Sequence, residues 1–592
     1  MPPSLSRQWQ FAQMEVSSRL QSFEPLGLDP LIAEILANRG VETLEAAQSF
    51  LHPNFNDLSD PNTLLDMDLA IRRTLEAFRD GEKILVFGDD DVDGITSASC
   101  VYLFFLKLEV DVGFKIPIRS VDGSGLRCES IREASAKGVT LLITTDCGIN
   151  SVEEIALAGT LGIDVIVLDH HMLPDTLPNA CAILNPLRPE SAFPFGRLAA
   201  VGVSYNFVSG LYGALCDYGL LPNNWMDLRE YLDIVALGTV ADVMPLVSEN
   251  RIYVREGLKV IRKRRRPGVS ALLERAHADD QPITARTIGY RIAPLLNAAG
   301  RMGDAGRCVE LLSTTSYKRA DELARELERD NQERQRCERE ILTEALKLAS
   351  EEFDAGKSLL MLWNASWHPG VLGIVASRVK ERYHRPSALV AINQETGIAR
   401  VSMRSIPGID LIKALKSTEK LLESYGGHIA AAGMTLKVAN LEAVRDSLEA
   451  AIRSQADPLP TPKLKIDARC SLSDLTPEFA DDLALLAPFG AGNPEPVLLA
   501  SKVRVLKSRV INDRHLRLKL REGDLSMNAI GFTLATEWNL QEQPVDAVFT
   551  PRVMHPWQQQ QIELNVLDIR PHRPRGSRSP SKKTRSSPKD HS

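Results

Sequence analysis

The chain has 592 residues, of which 44% are hydrophobic, and its formal net charge is −7. This length predicts several domains, and the absence of an apolar run of about 18 residues excludes a candidate membrane span. The first 15 residues lack the apolar core of a signal peptide, and the eight cysteines include no Cys-x-x-Cys pair. These features argue against a zinc ribbon and a disulfide framework, and we expect a cytoplasmic protein.

The two ends of the chain differ from the rest. Residues 1–60 predict a small helical segment, with helices ending near Asn38 and before His52. Residues 572–592 carry seven Lys and Arg against one Asp, a net +6 that leaves −13 on the body. This Ser- and Pro-rich segment predicts a disordered basic tail, for weak contact with nucleic acid or simply for solubility. Any nucleic-acid groove on the acidic body must be a local basic feature.

The region from residue 61 to 255 alternates strand-like and helix-like runs, which predicts an α/β domain with a doubly wound parallel sheet. Open sheets of this kind bind ligands at the carboxyl ends of their strands. Three of the runs lead to acids or histidines, and we expect these side chains to lie close together. The runs are Ile84–Phe87 before Asp89–Asp93, Val139–Ile143 before Asp146, and Asp164–Leu168 before Asp169, His170 and His171; a further run at 114–118 ends before Arg119.

The acidic stretch after the first strand indicates a metal site. Four aspartates in five positions repel one another unless a cation lies among them, and divalent metals take carboxylate oxygens. A solvated acidic turn is the alternative for this stretch alone. An EF-hand calcium loop does not fit, because Cys100 stands at its twelfth position and a strand precedes it. The stretch consists of Asp89, Asp90, Asp91 and Asp93.

A further acid follows an apolar run, Ile234–Leu237. Asp242 in this setting needs a partner or a cation if it is buried. In isolation, a helix cap or an exposed turn would explain it equally well.

Four motifs resemble, in order and spacing, those of the DHH family of phosphoesterases. They are GDDDVDG (88–94), TTDCG (144–148), LDHH (168–171) and GTVADVMPL (238–246). Within that family the resemblance is to the RecJ single-strand-specific exonucleases. It implies two Mn²⁺ or Mg²⁺ ions, which activate a water and neutralise charge on a phosphodiester. The implied metal ligands are Asp91, Asp93, Asp146, His170 and Asp242, with Asp146 as the bridge.

The same resemblance assigns catalytic roles. His171 would contact the scissile phosphate or assist the leaving group, and Asp89 would support the site. The position of Asp90 usually carries an aromatic residue in that family, so this chain adds a charge there.

Residues 256–355 predict a helical connector. Its basic run, Arg262–Arg266, is either a solvated helix end or a contact to a nucleic-acid backbone. From residue 320 the pattern is helical, and the almost wholly polar residues 328–340 predict a long helix that bridges two domains through solvent.

Residues 356–455 predict a second α/β domain that resembles DHHA1, through residues 367–378 and 426–433. The sequence departs from the family pattern at Leu295, Val401 and Met403. By resemblance, the substrate and its 5′ end would be held by Arg119, Arg301, Ser402, Arg404 and His428.

Residues 463–571 contain short alternating strands that predict a small β-barrel. They resemble the OB-fold of that family, a platform for single strands. On the strand pattern alone, an unrelated β domain fits equally well.

We therefore expect a metal-dependent exonuclease that hydrolyses single-stranded DNA 5′ to 3′ to mononucleotides in DNA repair and recombination. Its candidate protein partners are a single-strand-binding protein and a helicase. The alternatives are a DHH-type phosphodiesterase of short oligonucleotides or cyclic dinucleotides, and a non-catalytic DNA-binding scaffold. The β domain favours a polymer substrate, and the presence of every expected ligand type disfavours the scaffold.

Overall fold

The computed structural model describes residues 7–11, 17–119, 123, 125–278, 282–512, 514–534, 543–554 and 561–572. These residues form two compact units. The first contains Ser49–Pro462 and Ala487–Pro494; the second contains Gln8–Gln48, Lys463–Leu486 and the chain from Glu495 onward. The predicted basic tail lies outside the described residues apart from His572.

The N-terminal segment contains a strand as well as the predicted helices. Asp29 begins the second helix by accepting a hydrogen bond from the backbone N–H of Leu31 at 2.9 Å, and Pro30 follows it. The strand escaped prediction because its four residues pair with a segment far along the chain. The elements are β1 (Gln8–Phe11), α1 (Ser17–Phe23), α2 (Pro30–Asn38) and α3 (Leu44–Leu51).

The predicted parallel sheet is present in the first unit. Its elements are α4 (Met67–Asp80), β2 (Ile84–Gly88), α5 (Val92–Lys107), β3 (Val112–Lys115), α6 (Cys128–Ala136), β4 (Leu141–Thr145), α7 (Val152–Thr160), β5 (Asp164–Leu168), β6 (Ala182–Leu184), α8 (Ala200–Asp217) and α9 (Leu232–Ala241). The strand order is β3-β2-β4-β5-β6, and every neighbouring pair is parallel. The order reverses at β2, so the switch point lies at the carboxyl ends of β2 and β4.

Helices cover both faces of this sheet, which explains why its strands are apolar without alternation. Val86 of β2 belongs to one buried cluster with Phe104 of α5. Phe87, the next residue, belongs to another with Ile131 of α6. The strand expected at 114–118 instead ends at Lys115, because Pro117 cannot donate to a strand ladder.

The connector between the two α/β regions consists of helices. Two residues of its basic run serve the fold: Arg262 donates to the carbonyl of Ile283 at 2.7 Å, and buried Arg266 pairs with Asp233 at 2.8 Å. Its elements are α10 (Ser248–Arg262), α11 (Pro267–Arg275), α12 (Ala285–Thr287), a π-helical turn (Ile288–Ile292), α13 (Ala293–Met302), α14 (Gly306–Ser313) and α15 (Tyr317–Asp354).

Helix α15 has 38 residues, a length of about 57 Å at 1.5 Å per residue. The expectation that its polar middle crosses solvent is wrong for Asn331 and Arg334, which are 9% and 8% exposed. Arg334 donates to the side-chain oxygens of Asn331 and Glu338, so these polar groups satisfy one another while buried. None of the described helices combines the length and the apolar composition needed to cross a membrane.

The second α/β region of the first unit has a mixed sheet. Its elements are β7 (Leu360–Asn364), α16 (Leu372–Tyr383), β8 (Ser387–Asn393), β9 (Ile398–Arg404), α17 (Leu411–Lys416), β10 (Ser424–Gly427), β11 (Ala431–Lys437) and α18 (Leu441–Gln455). The strand order is β10-β11-β9-β8-β7. Only β7 and β8 run parallel among these pairs.

The second unit contains the predicted small β-barrel. Its elements beyond residue 462 are β12 (Lys463–Ile466), β13 (Ala468–Cys470), α19 (Pro477–Leu485), β14 (Leu498–Ile511), β15 (His515–Glu522), β16 (Leu525–Gly531), β17 (Val545–Met554) and β18 (Gln561–Pro571). Pairing of β14 with β17 closes the five long strands into a barrel. Strand β1 pairs in parallel with β12, and Trp9 of β1 donates to Asp568 of β18 at 2.7 Å.

We expect Gly257→Ala to destabilise the protein by about 1–3 kcal/mol, the usual cost of overpacking. A Cβ at Gly257 of α10 would come within 2.2 Å of the carbonyl oxygen of Leu232 in α9. Urea unfolding followed by circular dichroism measures the change. The matched control is Gly213→Ala in α8, where a Cβ meets nothing within 4 Å; it should be neutral or stabilising. Equal losses in both variants would contradict the packing argument.

Candidate active site

Asp91 and Asp93 lie where strand β2 passes into helix α5. Asp91 is the N-cap of α5, and its Oδ1 accepts hydrogen bonds from the backbone N–H groups of Asp93 and Gly94 at 2.9 and 3.1 Å. Asp93 is 1% exposed. Its carboxylate accepts from the backbone N–H groups of Ala200 and Val201, at the start of α8, at 2.7 and 2.9 Å. These bonds fix the carboxylate in a place where burial raises the pKa of Asp93.

Asp146 follows β4 in a strained conformation. Its φ is 60°, in the left-handed region that Asp and Asn enter more readily than most residues. The residue is buried, and its Oδ1 makes no hydrogen bond with any described group. Burial, together with the charges of Asp93 and Asp91, raises the pKa of Asp146 well above its usual value. A buried carboxylate oxygen without a partner is costly unless a cation binds it.

The orientation of His170 directs a lone pair toward the carboxylates. Its Nδ1 lies 3.1 Å from the carbonyl oxygen of Leu198. A carbonyl only accepts, so Nδ1 carries the hydrogen and Nε2 is free to bind a metal. That Nε2 lies 3.2 Å from Asp146, 3.8 Å from Asp242 and 3.9 Å from Asp93. A lone pair and a carboxylate are both acceptors, so they cannot hydrogen-bond to each other, but both can bind the same metal ion.

The neighbouring His171 has a different partner. Its Nδ1 lies 2.8 Å from Oδ1 of buried Asp169, and this hydrogen bond raises the pKa of His171 to about 9. Burial alone would raise the pKa of Asp169, but the bond from His171 lowers it. Asp169 also accepts from the backbone N–H groups of His170, His171 and Ile149. In the metal-free protein this bond favours the charged ring of His171, and the same acid orients both histidines.

Asp242 caps the carboxyl end of helix α9, and it is 28% exposed at its side chain. Burial and the charges of Asp93 and Asp91 raise the pKa of Asp242 to about 8. Close packing brings α9 to the site, because a Cβ at Gly238 would lie 2.2 Å from Oγ1 of Thr96. The next residue, Val243, has a φ of 59°, which is rare for a β-branched residue and is typical of strained functional sites.

The ligand atoms fall into two groups that share His170. Within each group all ligand atoms lie within 4.8 Å of one another. Asp91, predicted as a ligand, belongs to neither group of described residues, and its Oδ1 caps α5. The bridging role of Asp146 stays a prediction. The groups are Asp146, His170 and His171, and Asp93, His170 and Asp242.

Asp89 borders this centre. Burial and the charges of Asp90 and Asp91 raise the pKa of Asp89 to about 6, and its buried Oδ1 makes no hydrogen bond with a described group. This environment fits a residue that supports the site.

The predicted substrate-binding residues come from both α/β regions of the first unit. Arg301 of α13 donates to the carbonyl of Gly370 at 3.1 Å. On β9, Arg404 donates to Oγ of Ser402 at 3.3 Å. The guanidinium of Arg404 packs closely on Gly373 of α16, where an added Cβ would lie 2.7 Å from Nη2 of Arg404. His428 donates from its backbone to Ala431, which pairs with Arg404, so His428 lies at the same end of the sheet as Arg404. Arg119 donates two hydrogen bonds to Asp90.

The sequence analysis named Asp169 without giving it a role, and it did not single out Arg334. Asp169 stands directly before the histidine pair, and that position was the signal available for it. Arg334 lies in the polar middle of α15. Partial desolvation and the neighbouring cations Arg119 and Arg334 lower the pKa of Arg301. No sequence pattern distinguishes Arg334 from the surrounding charges.

Three family models match the chain. "DHH family, N-terminal domain" matches residues 83–239, "DHHA1 domain" matches 356–454, and "RecJ OB domain" matches 466–568. Together with the metal-binding groups at the switch point of the sheet, these matches define a DHH protein with a DHHA1 domain and an OB-fold.

Two curated relatives carry the name single-stranded-DNA-specific exonuclease RecJ. The Bacillus subtilis protein is 35% identical over 527 residues, which cover 88% of this chain and 65% of that protein. The Salmonella typhimurium protein is 37% identical over 530 residues, which cover 86% of this chain and 90% of that protein. The chain belongs to the RecJ family of single-stranded-DNA-specific exonucleases.

The fold also matches solved structures of RecJ from Thermus thermophilus. The complex with Mn²⁺ gives a TM-score of 0.80 at 30% identity, covering 96% of this chain and 80% of that one. The complex with Mg²⁺ gives 0.75 at 29% identity, with 96% and 79% covered. In this chain, the unpaired oxygen of Asp146 and the free lone pair of His170 fit such ions. The donors of this chain, oxygen-rich with one imidazole, fit divalent metal ions such as Mn²⁺ or Mg²⁺ as cofactors.

We expect Asp242→Asn to stabilise the metal-free protein at pH 9 by roughly 1–3 kcal/mol, because it removes a poorly solvated charge. Below about pH 4 the carboxyl is protonated in the folded and unfolded chain alike. Between there and about pH 8 only the folded protein holds the proton, so wild-type stability falls as pH rises. The gain should therefore shrink at pH 5.

Urea unfolding in excess chelator at pH 5 and pH 9 measures this difference. The control is Asp217→Asn, at an exposed position at the end of α8. A gain that is the same at both pH values would show that the charge of Asp242 is not its cause.

Proposed function

We propose that this protein is a metal-dependent exonuclease that hydrolyses single-stranded DNA from the 5′ end to mononucleotides. The observation that carries the proposal is the convergence of Asp93, Asp146, His170 and Asp242 at one edge of a parallel sheet. Membership of the RecJ family supports single-stranded DNA as the substrate. The 5′ polarity and the mononucleotide product are further parts of the proposal, and the labelling experiment below tests them.

Each side chain of the site has a defined task in this reaction. The bound metals supply an activated water and neutralise the charge of the phosphodiester. Asp91, Asp93, Asp146, His170 and Asp242 would hold them. His171 donates from Nδ1 to Asp169, and this bond favours the charged ring, which carries a second hydrogen on Nε2. Its Nε2–H can therefore donate to a phosphate oxygen or to the departing 3′ oxygen. Asp89 supports this arrangement from the end of β2.

The substrate would be held by the basic and polar groups of both α/β regions. Guanidinium groups suit phosphate because they offer a fork of donors with fixed charge. The proposed set is Arg119, Arg301, Ser402, Arg404 and His428.

The barrel of the second unit offers a separate contact for single strands. A pocket of about 390 Å³ on its surface is lined by four cations, two leucines and two uncharged polar residues. Such a basic lining suits the phosphate backbone of a single strand. The four cations are Lys507, Arg509, Arg517 and Lys519.

The cellular setting is part of the proposal. We infer roles in DNA repair and recombination, a cytoplasmic location, and a single-strand-binding protein and a helicase as partners. We also retain the division into six segments: 1–60, 61–255, 256–355, 356–455, 463–571 and 572–592.

We expect Asp146→Asn to lower kcat about a thousandfold or more, the equivalent of several kcal/mol of lost transition-state stabilisation. Asparagine keeps the size of the side chain and tolerates the left-handed backbone at this position. Single-stranded DNA labelled at the 5′ or the 3′ end is incubated with Mn²⁺, Mg²⁺ or chelator. Immediate release of labelled mononucleotide from the 5′ label, dependent on metal and absent in the variant, supports the proposal.

The control for this experiment is Asp217→Asn, which should cleave as the wild type does. Release from the 3′ label first would overturn the polarity. If folded protein with metal cleaves neither strand, a phosphodiesterase of short substrates or a scaffold becomes the better explanation. An active Asp146→Asn protein would remove Asp146 from the metal centre.

We expect Arg404→Gln to raise KM for single-stranded DNA about tenfold with little change in kcat, as for a residue that contacts phosphate. Steady-state hydrolysis at several salt concentrations measures it. The matched control is Arg400→Gln, four residues earlier on β9 and exposed. Equal effects of the two substitutions would indicate general charge attraction instead of a specific contact.

A further inference from the structure

Asp90 stands directly before the predicted metal ligand Asp91, and it belongs to neither of the two metal-binding groups described above. It is 3% exposed. Its two carboxylate oxygens accept hydrogen bonds from Nε and Nη2 of Arg119 at 2.7 and 2.5 Å. Such a bidentate pair fixes the plane of the guanidinium.

Arg119 itself is accessible: 56% of its side chain is exposed, against 2% for Asp90. The bonds to Asp90 use Nε–H and one hydrogen of Nη2. The guanidinium has five N–H donors in a rigid fork, so the Nη1 hydrogens point away from Asp90. Arg119 therefore combines a buried anchor with donors on its exposed side that point away from Asp90.

The backbone of Asp90 also supports Arg301. A Cβ at Gly300 would lie 2.2 Å from the carbonyl oxygen of Asp90, so helix α13 packs directly on this residue. Arg301 directly follows Gly300, so the contact with the Asp90 backbone places Arg301 next to the residue that anchors Arg119. Burial, and after it the charge of Arg119, lower the pKa of Arg301. The carboxylate of Asp90 offsets part of the repulsion from Arg119.

We propose that Asp90 is a positioning residue for the substrate. It anchors Arg119 beside Arg301, so that two guanidinium groups from different segments form one binding site for a backbone phosphate of single-stranded DNA. This inference rests on the proposed function, in which both arginines contact the substrate. It assigns a task to the acid of the GDDDVDG motif that neither metal binding nor catalysis uses.

The test is steady-state hydrolysis of single-stranded DNA by the full chain with Mn²⁺. Asparagine at position 90 would turn an N–H donor toward the guanidinium and break the bidentate pair. We expect Asp90→Asn to raise KM about tenfold, as for one misplaced charge-assisted phosphate contact, with kcat within about twofold. In an Arg119→Gln background, Asp90→Asn should add nothing further, because its effect passes through Arg119.

The matched control is Asp80→Asn, which breaks an exposed bidentate pair with Arg79 at the end of α4. It should leave KM and kcat unchanged. Thermal unfolding of each variant separates misfolding from altered binding. If Asp90→Asn fails to fold, Arg119→Lys provides the test, because lysine keeps the charge and loses the fork. A wild-type KM for Arg119→Lys would overturn the proposal.

Other outcomes would also overturn it. Asp90→Asn could leave KM unchanged while Arg119→Gln raises it, or it could raise KM equally without Arg119. A loss confined to kcat would place Asp90 in the metal centre instead. If an active enzyme keeps its KM after Arg119→Gln, Arg119 does not contact substrate and this inference fails with it. Failure of the wild type to cleave single-stranded DNA would instead overturn the proposed function.

Discussion

Repulsion between buried carboxylates is the constraint on which the rest of the site depends. Asp93, Asp146 and Asp242 surround one imidazole nitrogen within 3.9 Å, and burial raises the pKa of each of them. Without a cation the folded chain must either protonate these groups or bear their repulsion. Local structure resists their separation: backbone N–H groups of α8 hold Asp93, and a left-handed turn directs Asp146 inward. The protein is therefore organised for a bound ion before any ion arrives.

The adjacent histidines illustrate how one partner atom determines the chemistry of a side chain. His170 shares its Nδ1 hydrogen with a neutral carbonyl, which leaves Nε2 as a lone-pair donor. His171 shares its Nδ1 hydrogen with buried Asp169, which stabilises the charged ring. One ring thus suits metal binding and the other suits donation to an oxygen anion. Asp169 is central to this division, since it accepts bonds from the backbone of both histidines as well.

The sequence was sufficient to predict the strands and helices that depend on the pattern of neighbouring residues. Apolar runs followed by acids predicted the strands β2, β4 and β5. Because parallel strands end at the same edge of a sheet, the sequence also predicted that Asp93, Asp146 and His170 would lie close together. The sequence did not predict structure that depends on contacts between side chains or on pairing with a distant segment. Strand β1 exists because it pairs with β12, and Arg334 is buried because Asn331 and Glu338 satisfy it. The position of Asp169 was visible, but its hydrogen bonds depend on a turn that no periodicity encodes.

The arginines form the complement of the acidic centre. Arg119, Arg301 and Arg404 come from three distant segments, and their mutual repulsion opposes their approach. Two carboxylates reduce the repulsion between these arginines and their neighbours: Asp90 pairs with Arg119, and Glu338 pairs with Arg334. Because each of these acids also accepts hydrogen bonds, it fixes direction as well as offsetting charge. The phosphates of a nucleic-acid strand that contacts these arginines would further reduce the repulsion between their positive charges. In the proposed function these phosphates would lie close to the predicted metal ligands that follow β2, since Asp90 adjoins both regions.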